Sequence, residues 1–172
     1  MSDNGTMRVL GIDCGTEFTG YGVVEQGSNQ KLIHIASGAI RLDKKQKLSM
    51  RLKKVFEDLT QIIESKAPDI VAIEEVFYSV NAKSALKLGQ VRGVAMLAAA
   101  ALGLEVAEYS PLSIKSSVVG YGRAEKSQVQ FMVAKLLALE TVPEPADLAD
   151  ALAIAICHLH TSTTLALQSA KS

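Results

Sequence analysis

A chain of 172 residues, 48% hydrophobic and 21% charged, is long enough for one domain with a real core and too apolar to stay disordered. Its 18 basic and 18 acidic residues cancel to a formal net charge of zero, which excludes a simple polycationic DNA coat. Two cysteines, Cys14 and Cys157, are too few for a disulfide framework and fit a reducing, cytoplasmic setting.

Met1 to Thr6 is short and polar and reads as a disordered extension, not a secretion signal. A single domain is expected over 7–160. Arg8 to Asp13 is a buried strand that ends in an acid. Gly15, Gly20 and Gly22 punctuate a turn and a second strand, Thr19 to Gln26. Gly27 to Gln30 turns the chain into a third strand, Leu32 to Leu42, completing an antiparallel meander. Leu48, Leu52, Val55, Phe56, Leu59, Ile62 and Ile63 recur at helical spacing, and Pro68 stops that helix. Asp69 to Val76 is a buried, β-rich run. A right-handed crossover places this strand parallel to the first, so Asp13 and the pair Glu74–Glu75 meet at the carboxyl ends of the strands.

Asn81 to Ala101 reads as a long helix whose Gly89 and Gly93 admit close approach of another element, in the core or at a subunit interface. Its Ala-rich end is too short and weakly apolar to span a bilayer. Glu105 to Tyr109 is a short strand, Pro111 to Val119 a helix begun by proline, and Glu125 to Leu139 an amphipathic helix. The last helix runs from near Pro145 to about Leu159, and 161–172 reads as a flexible tail. The fold class is therefore α/β: a mixed five-stranded sheet, an antiparallel meander plus parallel strands, flanked by helices.

Four acids stand out in this frame: Asp13, Glu74, Asp147 and Asp150. Carboxylates at the ends of apolar elements are costly to bury alone, and hard oxygen donors suit divalent cations. Asp13 is also suited to cap its turn, and Asp147 to complement a helix dipole. Asp150 is harder to explain without a cation. Its helix is apolar nearly all round, and Asp147 repels it from the same face. Glu74 and Glu75 point to opposite faces, and alternation does not choose between them because both faces are apolar. Cys14 lacks a partner cysteine and is not read as a ligand. His158 and His160 read as structural or exposed.

The basic residues fall into two sets. Arg41, Lys44, Lys45, Lys47, Arg51, Lys53 and Lys54 read as a solvated loop and helix face. Lys83, Lys87, Arg92, Lys115, Arg123 and Lys126 read as a DNA-contacting set around an acidic pocket. Phe77 and Tyr78 leave the fourth strand beside this basic stretch, where an exposed aromatic would stack on unpaired bases.

Taken in order, Gly11-Ile-Asp13-Cys-Gly15, Thr19-Gly-Tyr-Gly22, Ala72-Ile-Glu74-Glu-Val-Phe77 and Asn81 to Gln90 resemble the RuvC Holliday junction resolvases. Val118-Val-Gly120, Glu125 to Gln130 and Asp147-Leu-Ala-Asp150 complete the resemblance, which spans Met7 to about His160. It implies a ribonuclease H-like fold, a homodimer, and an endonuclease that resolves four-way DNA junctions by paired symmetric nicks. It implies Asp13, Glu74, Asp147 and Asp150 as catalytic metal ligands, which selects Glu74 over Glu75. The implied cofactor is Mg²⁺, two ions roughly 4 Å apart with Mn²⁺ as substitute, leaving a 5′-phosphate and a 3′-hydroxyl. Phe77, Lys115 and Lys126 are the implied DNA contacts, Lys83 and Arg123 join them from the basic set, and the RuvA–RuvB branch-migration complex is the implied partner. Cys14 replaces a proline common in the family, and Glu17 a frequent basic residue.

Gly11-Ile-Asp-Cys-Gly-Thr16 also looks like the phosphate loop of actin-like ATPases and sugar kinases, but such proteins need a second domain and a second phosphate motif. Another ribonuclease H-like nuclease, or a junction-binding module without catalysis, are the remaining alternatives. The full acid set speaks against the last.

Overall fold

The structure is a computed structural model that describes residues 6–75 and 82–169. Its sheet contains β1 (Met7–Asp13), β2 (Phe18–Gln26), β3 (Leu32–Arg41), β4 (Ile70–Glu74) and β5 (Val106–Tyr109), in the order β3-β2-β1-β4-β5. β1, β2 and β3 pair antiparallel, whereas β4 pairs parallel to β1 and β5 parallel to β4. The helices are α1 (Leu48–Lys66), α2 (Ala82–Ala101), α3 (Pro111–Val119), α4 (Lys126–Leu136) and α5 (Ala146–Ser169). The fold thus has the expected α/β class, a mixed five-stranded sheet between helices.

Strand alternation divides the interior into two layers. Val9 and Ala72 pack with α3, α4 and α5, whereas Leu10, Ile12, Val71 and Ile73 pack with α1 and α2. Val55, Leu59 and Ile63 are the buried stripe of α1. That helix ends at Ala67 in the left-handed conformation, φ 45°, whose N–H bonds Ile63 O ahead of Pro68. Ser110 caps α3 with its hydroxyl on the Ser113 N–H, and Glu125 and Gln128 form a capping box on α4.

α5 lies across β1 and β2, and Ala151 through Leu159 are buried without interruption. Each fully buried leucine or isoleucine there contributes about 1.5–3 kcal/mol, so α5 anchors the domain. Its close approach rests on glycines. A Cβ at Gly11 would strike the backbone oxygen of Ala151, one at Gly20 that of Asp147, and one at Gly22 the Leu152 side chain.

One boundary differs clearly from expectation: α5 continues through Ser169, where the sequence suggested a flexible tail after His160. The hydroxyls of Thr161 and Thr164 bond back to the carbonyls of Cys157 and His160, and Thr163 reaches Gln26 of β2. Local bonds of this kind satisfy a serine- and threonine-rich turn that lacks an apolar stripe.

Candidate active site

Odd-numbered positions of β1 face α5, so Asp13 continues the side of Val9 and Gly11. On β4 the same side carries Ile70 and Ala72, and hence Glu74. Ile12 pairs with Ile73, which sets the ends of β1 and β4 beside each other. The helices therefore resolve what bare alternation left open. Glu74 is half-buried and lines a cavity of about 190 Å³ with Asp13, Lys115, Lys126 and Asp150, whereas Glu75 is exposed.

α5 supplies the other acids from its first turns. Single carboxylate oxygens of Asp13, Asp147 and Asp150 lie within 4.8 Å of one another. Asp147 therefore joins the cluster and does more than meet the helix dipole. Burial, followed by the charges of Asp150, Glu74 and Asp147, pushes the Asp13 carboxyl from 3.8 up to about 7, against the opposing pull of Lys126. Burial and Asp150 likewise raise Glu74, while Lys115 and Lys126 oppose the rise. Partly buried carboxylates in mutual repulsion form a hard-oxygen donor set that a divalent cation would satisfy.

Lys126 projects from the start of α4, and its Nζ lies 2.6 Å from Asp150 Oδ2. That hydrogen bond, together with the surrounding acids, raises the Lys126 pKa. Its side chain is more than half exposed, so the pair contributes little to stability, under about 1 kcal/mol. Lys115 on α3 lines the same cavity. Arg123 is exposed in the loop between α3 and α4, and Lys83 is exposed in the first turn of α2. Phe77 and Tyr78 lie outside the described residues.

Arg92 departs from the DNA-contact reading. Its Nε donates to the Glu74 carbonyl at 3.1 Å, and its guanidinium pairs with Glu108 of β5. It thus fastens the end of β4 from α2. No local sequence signal links Arg92 to Glu74. Arg51, placed in the solvated set, likewise donates to Thr16 O and ties down the loop that follows Asp13. Cys14 faces the α2 layer, and burial pushes its thiol up to about 12, so it offers no thiolate. His158 Nδ1 meets the Tyr109 hydroxyl at 2.8 Å, and His160 Nδ1 meets Ser117 O at 3.0 Å. Both histidines brace α5 and stay away from the acids.

The family model described as "Crossover junction endodeoxyribonuclease RuvC" matches residues 9–158. The chain belongs to the RuvC family. The crossover junction endodeoxyribonuclease RuvC of Koribacter versatilis (strain Ellin345) is 61% identical over 166 residues, 96% of this chain and 100% of that protein. Its counterpart in Acidobacterium capsulatum is 58% identical over 171 residues, again 96% of this chain and 100% of the relative. Thermus thermophilus RuvC in complex with Holliday junction substrate superposes with a TM-score of 0.85 at 28% identity, covering 92% of this chain and 96% of that one. RuvC membership does not favour the ATPase alternative.

Proposed function

We propose that this RuvC-family chain resolves Holliday junctions by hydrolysing DNA phosphodiesters at the Asp13–Glu74–Asp147–Asp150 cavity. The convergence of four acids from β1, β4 and α5 beside two lysines carries this reading. Their donor chemistry fits Mg²⁺, two per site, with Mn²⁺ as a substitute. Bound there, divalent cations would supply Lewis-acid activation of water and charge neutralisation at the phosphate. Asp13, Asp147 and Asp150 would hold such an ion, with Glu74 completing the ligand set. Lys126 and Lys115 bring positive charge to the phosphate, where fixed cations stabilise charge developing in the transition state. The products are a 5′-phosphate and a 3′-hydroxyl. Exposed Lys83 and Arg123, together with Phe77 outside the described residues, are the further DNA contacts of this reading.

The working unit is a homodimer, whose two-fold axis suits two opposed strands of a junction. α2 supports this, because Leu86, Gly89, Gly93 and Leu97 share one face, both leucines are exposed, and among the described residues nothing lies within 4 Å of where a Cβ would stand on either glycine. The RuvA–RuvB motor is the partner assembly, and the cytoplasm the setting. Among the described residues no helix is long and apolar enough to cross a membrane. Incubation with a synthetic mobile four-way junction, with and without Mg²⁺, tests the assignment. Symmetric paired nicks that require the ion are expected. Random cutting of linear duplex, or cutting in chelator, contradicts it.

A further inference from the structure

The sheet register places a second charged surface on the edge occupied by the acids. Asp13 is the partner of Gly20, and Gly20 that of Ala39. Phe18 and Arg41, the next outward pair on the same side, project past that row. With strands about 4.8 Å apart and a rise of about 3.4 Å per residue, the Arg41 backbone lies about 12 Å from that of Asp13. An open groove of about 580 Å³ begins there, lined by Glu17, Phe18, Arg41, Asp43, Lys44 and Lys45. Exposed Lys47 follows on the same loop.

The charges in this groove are unequally satisfied. Lys44 Nζ lies 2.5 Å from Glu17 Oε1, which neutralises that acid, and Asp43 Oδ1 accepts the Lys45 backbone N–H at 2.8 Å. Arg41, Lys45 and Lys47 are exposed and have no ion pair among the described residues. On neighbouring α1, by contrast, Lys53 and Lys54 are paired with Glu57 and Asp58. The basic run from Arg41 to Lys54 is therefore two surfaces: a self-neutralised helix face and a cationic rim.

We propose that the rim of Arg41, Lys45 and Lys47 binds the phosphate backbone of a junction arm, a few base pairs from the scissile phosphate. The inference rests on the junction-cutting reading and extends it to a site outside the acid cavity. One strand of duplex DNA carries a phosphate per about 3.4 Å of axis, so a backbone entering the cavity presents about three phosphates within the span from Asp13 to Arg41. The rim shares a sheet edge with the cutting site, which favours DNA over an acidic protein surface. Contacts of this kind set register and affinity and read no base sequence.

The test is binding of the full chain to a synthetic four-way junction by fluorescence anisotropy, across a salt series in Ca²⁺. Each phosphate contact adds about 0.9 to the slope of log affinity against log salt. The triple variant Arg41→Gln, Lys45→Gln, Lys47→Gln is expected to lose up to about 3 from that slope. The charge-matched control Lys31→Gln, Lys53→Gln, Lys54→Gln is expected to keep it, and thermal melts establish that both variants fold. An unchanged slope in the rim variant, or an equal loss in the control, overturns the proposal. A rim variant that binds DNA normally but loses an acidic protein partner also overturns it. An unaltered chain that neither binds nor cuts the junction removes the functional reading and the rim with it. Junction cutting by the unaltered chain with an unmoved rim slope removes the rim alone.

Discussion

At the residue scale the site is governed by the cost of crowding carboxylates. Asp13→Asn or Glu74→Gln should reduce Mg²⁺-dependent nicking by more than about 100-fold, since even outer partners of metal ligands cost 10–100-fold. Junction binding should survive, so gel-shift and cleavage assays on the same preparation separate the two effects. Retained cleavage by clean Asp13→Asn protein would sink the assignment. A second prediction concerns acidity. The folded state raises Asp13 from 3.8 to about 7 and therefore binds its proton more tightly than the unfolded chain does. That contribution is complete below pH 3.8 and is lost as pH rises through about 7. Raised Glu74 acts in the same direction. Chelated protein should thus melt at lower temperature at pH 8 than at pH 6 by more than the Asp13→Asn variant does, and Mg²⁺ should restore the loss at pH 8. A melting temperature indifferent to both changes would contradict this account.

At the element scale, α5 and the strands beneath it fix where the acids meet. Gly11→Ala would drive a methyl group into the Ala151 backbone and should cost about 1–3 kcal/mol or more, read as a lowered denaturant midpoint. A misplacement of about 1 Å can cost 10²-fold in rate, so cleavage should fall further than stability explains. If Gly11→Ala melts and cuts like the unaltered chain, the close packing has been misjudged. Much of this arrangement was legible in the sequence. The apolar runs gave the strands, proline and glycine their ends, and the Asp147–Asp150 spacing the repulsive pair. The choice of Glu74 over Glu75 was not legible from alternation, because both faces of β4 are apolar and only the identity of the covering helix distinguishes them. The extension of α5 to Ser169 was hidden for another reason: its hydroxyls bond backward, and no hydrophobic stripe marks it. Arg92 was misread because its charge looked available, while its tie to Glu74 O is a long-range contact.

At the scale of the whole molecule, the exposed face of α2 is the proposed seat of a second copy and the cationic rim the proposed seat of DNA. Leu86→Glu with Leu97→Glu should convert a dimer to a monomer by light scattering and replace paired nicks with isolated ones. A dimer that survives both charges would move the interface elsewhere. α5 has a further consequence. Its buried span packs on β1, β2, α3 and α4, and its first turns carry Asp147 and Asp150. Segments with few buried contacts open locally, whereas a central helix exchanges its amide hydrogens only when the whole domain opens. The slowest-exchanging amides are therefore expected in the buried span of α5, the helix whose first turns carry two acids of the candidate site, so exchange there should report opening of the whole domain.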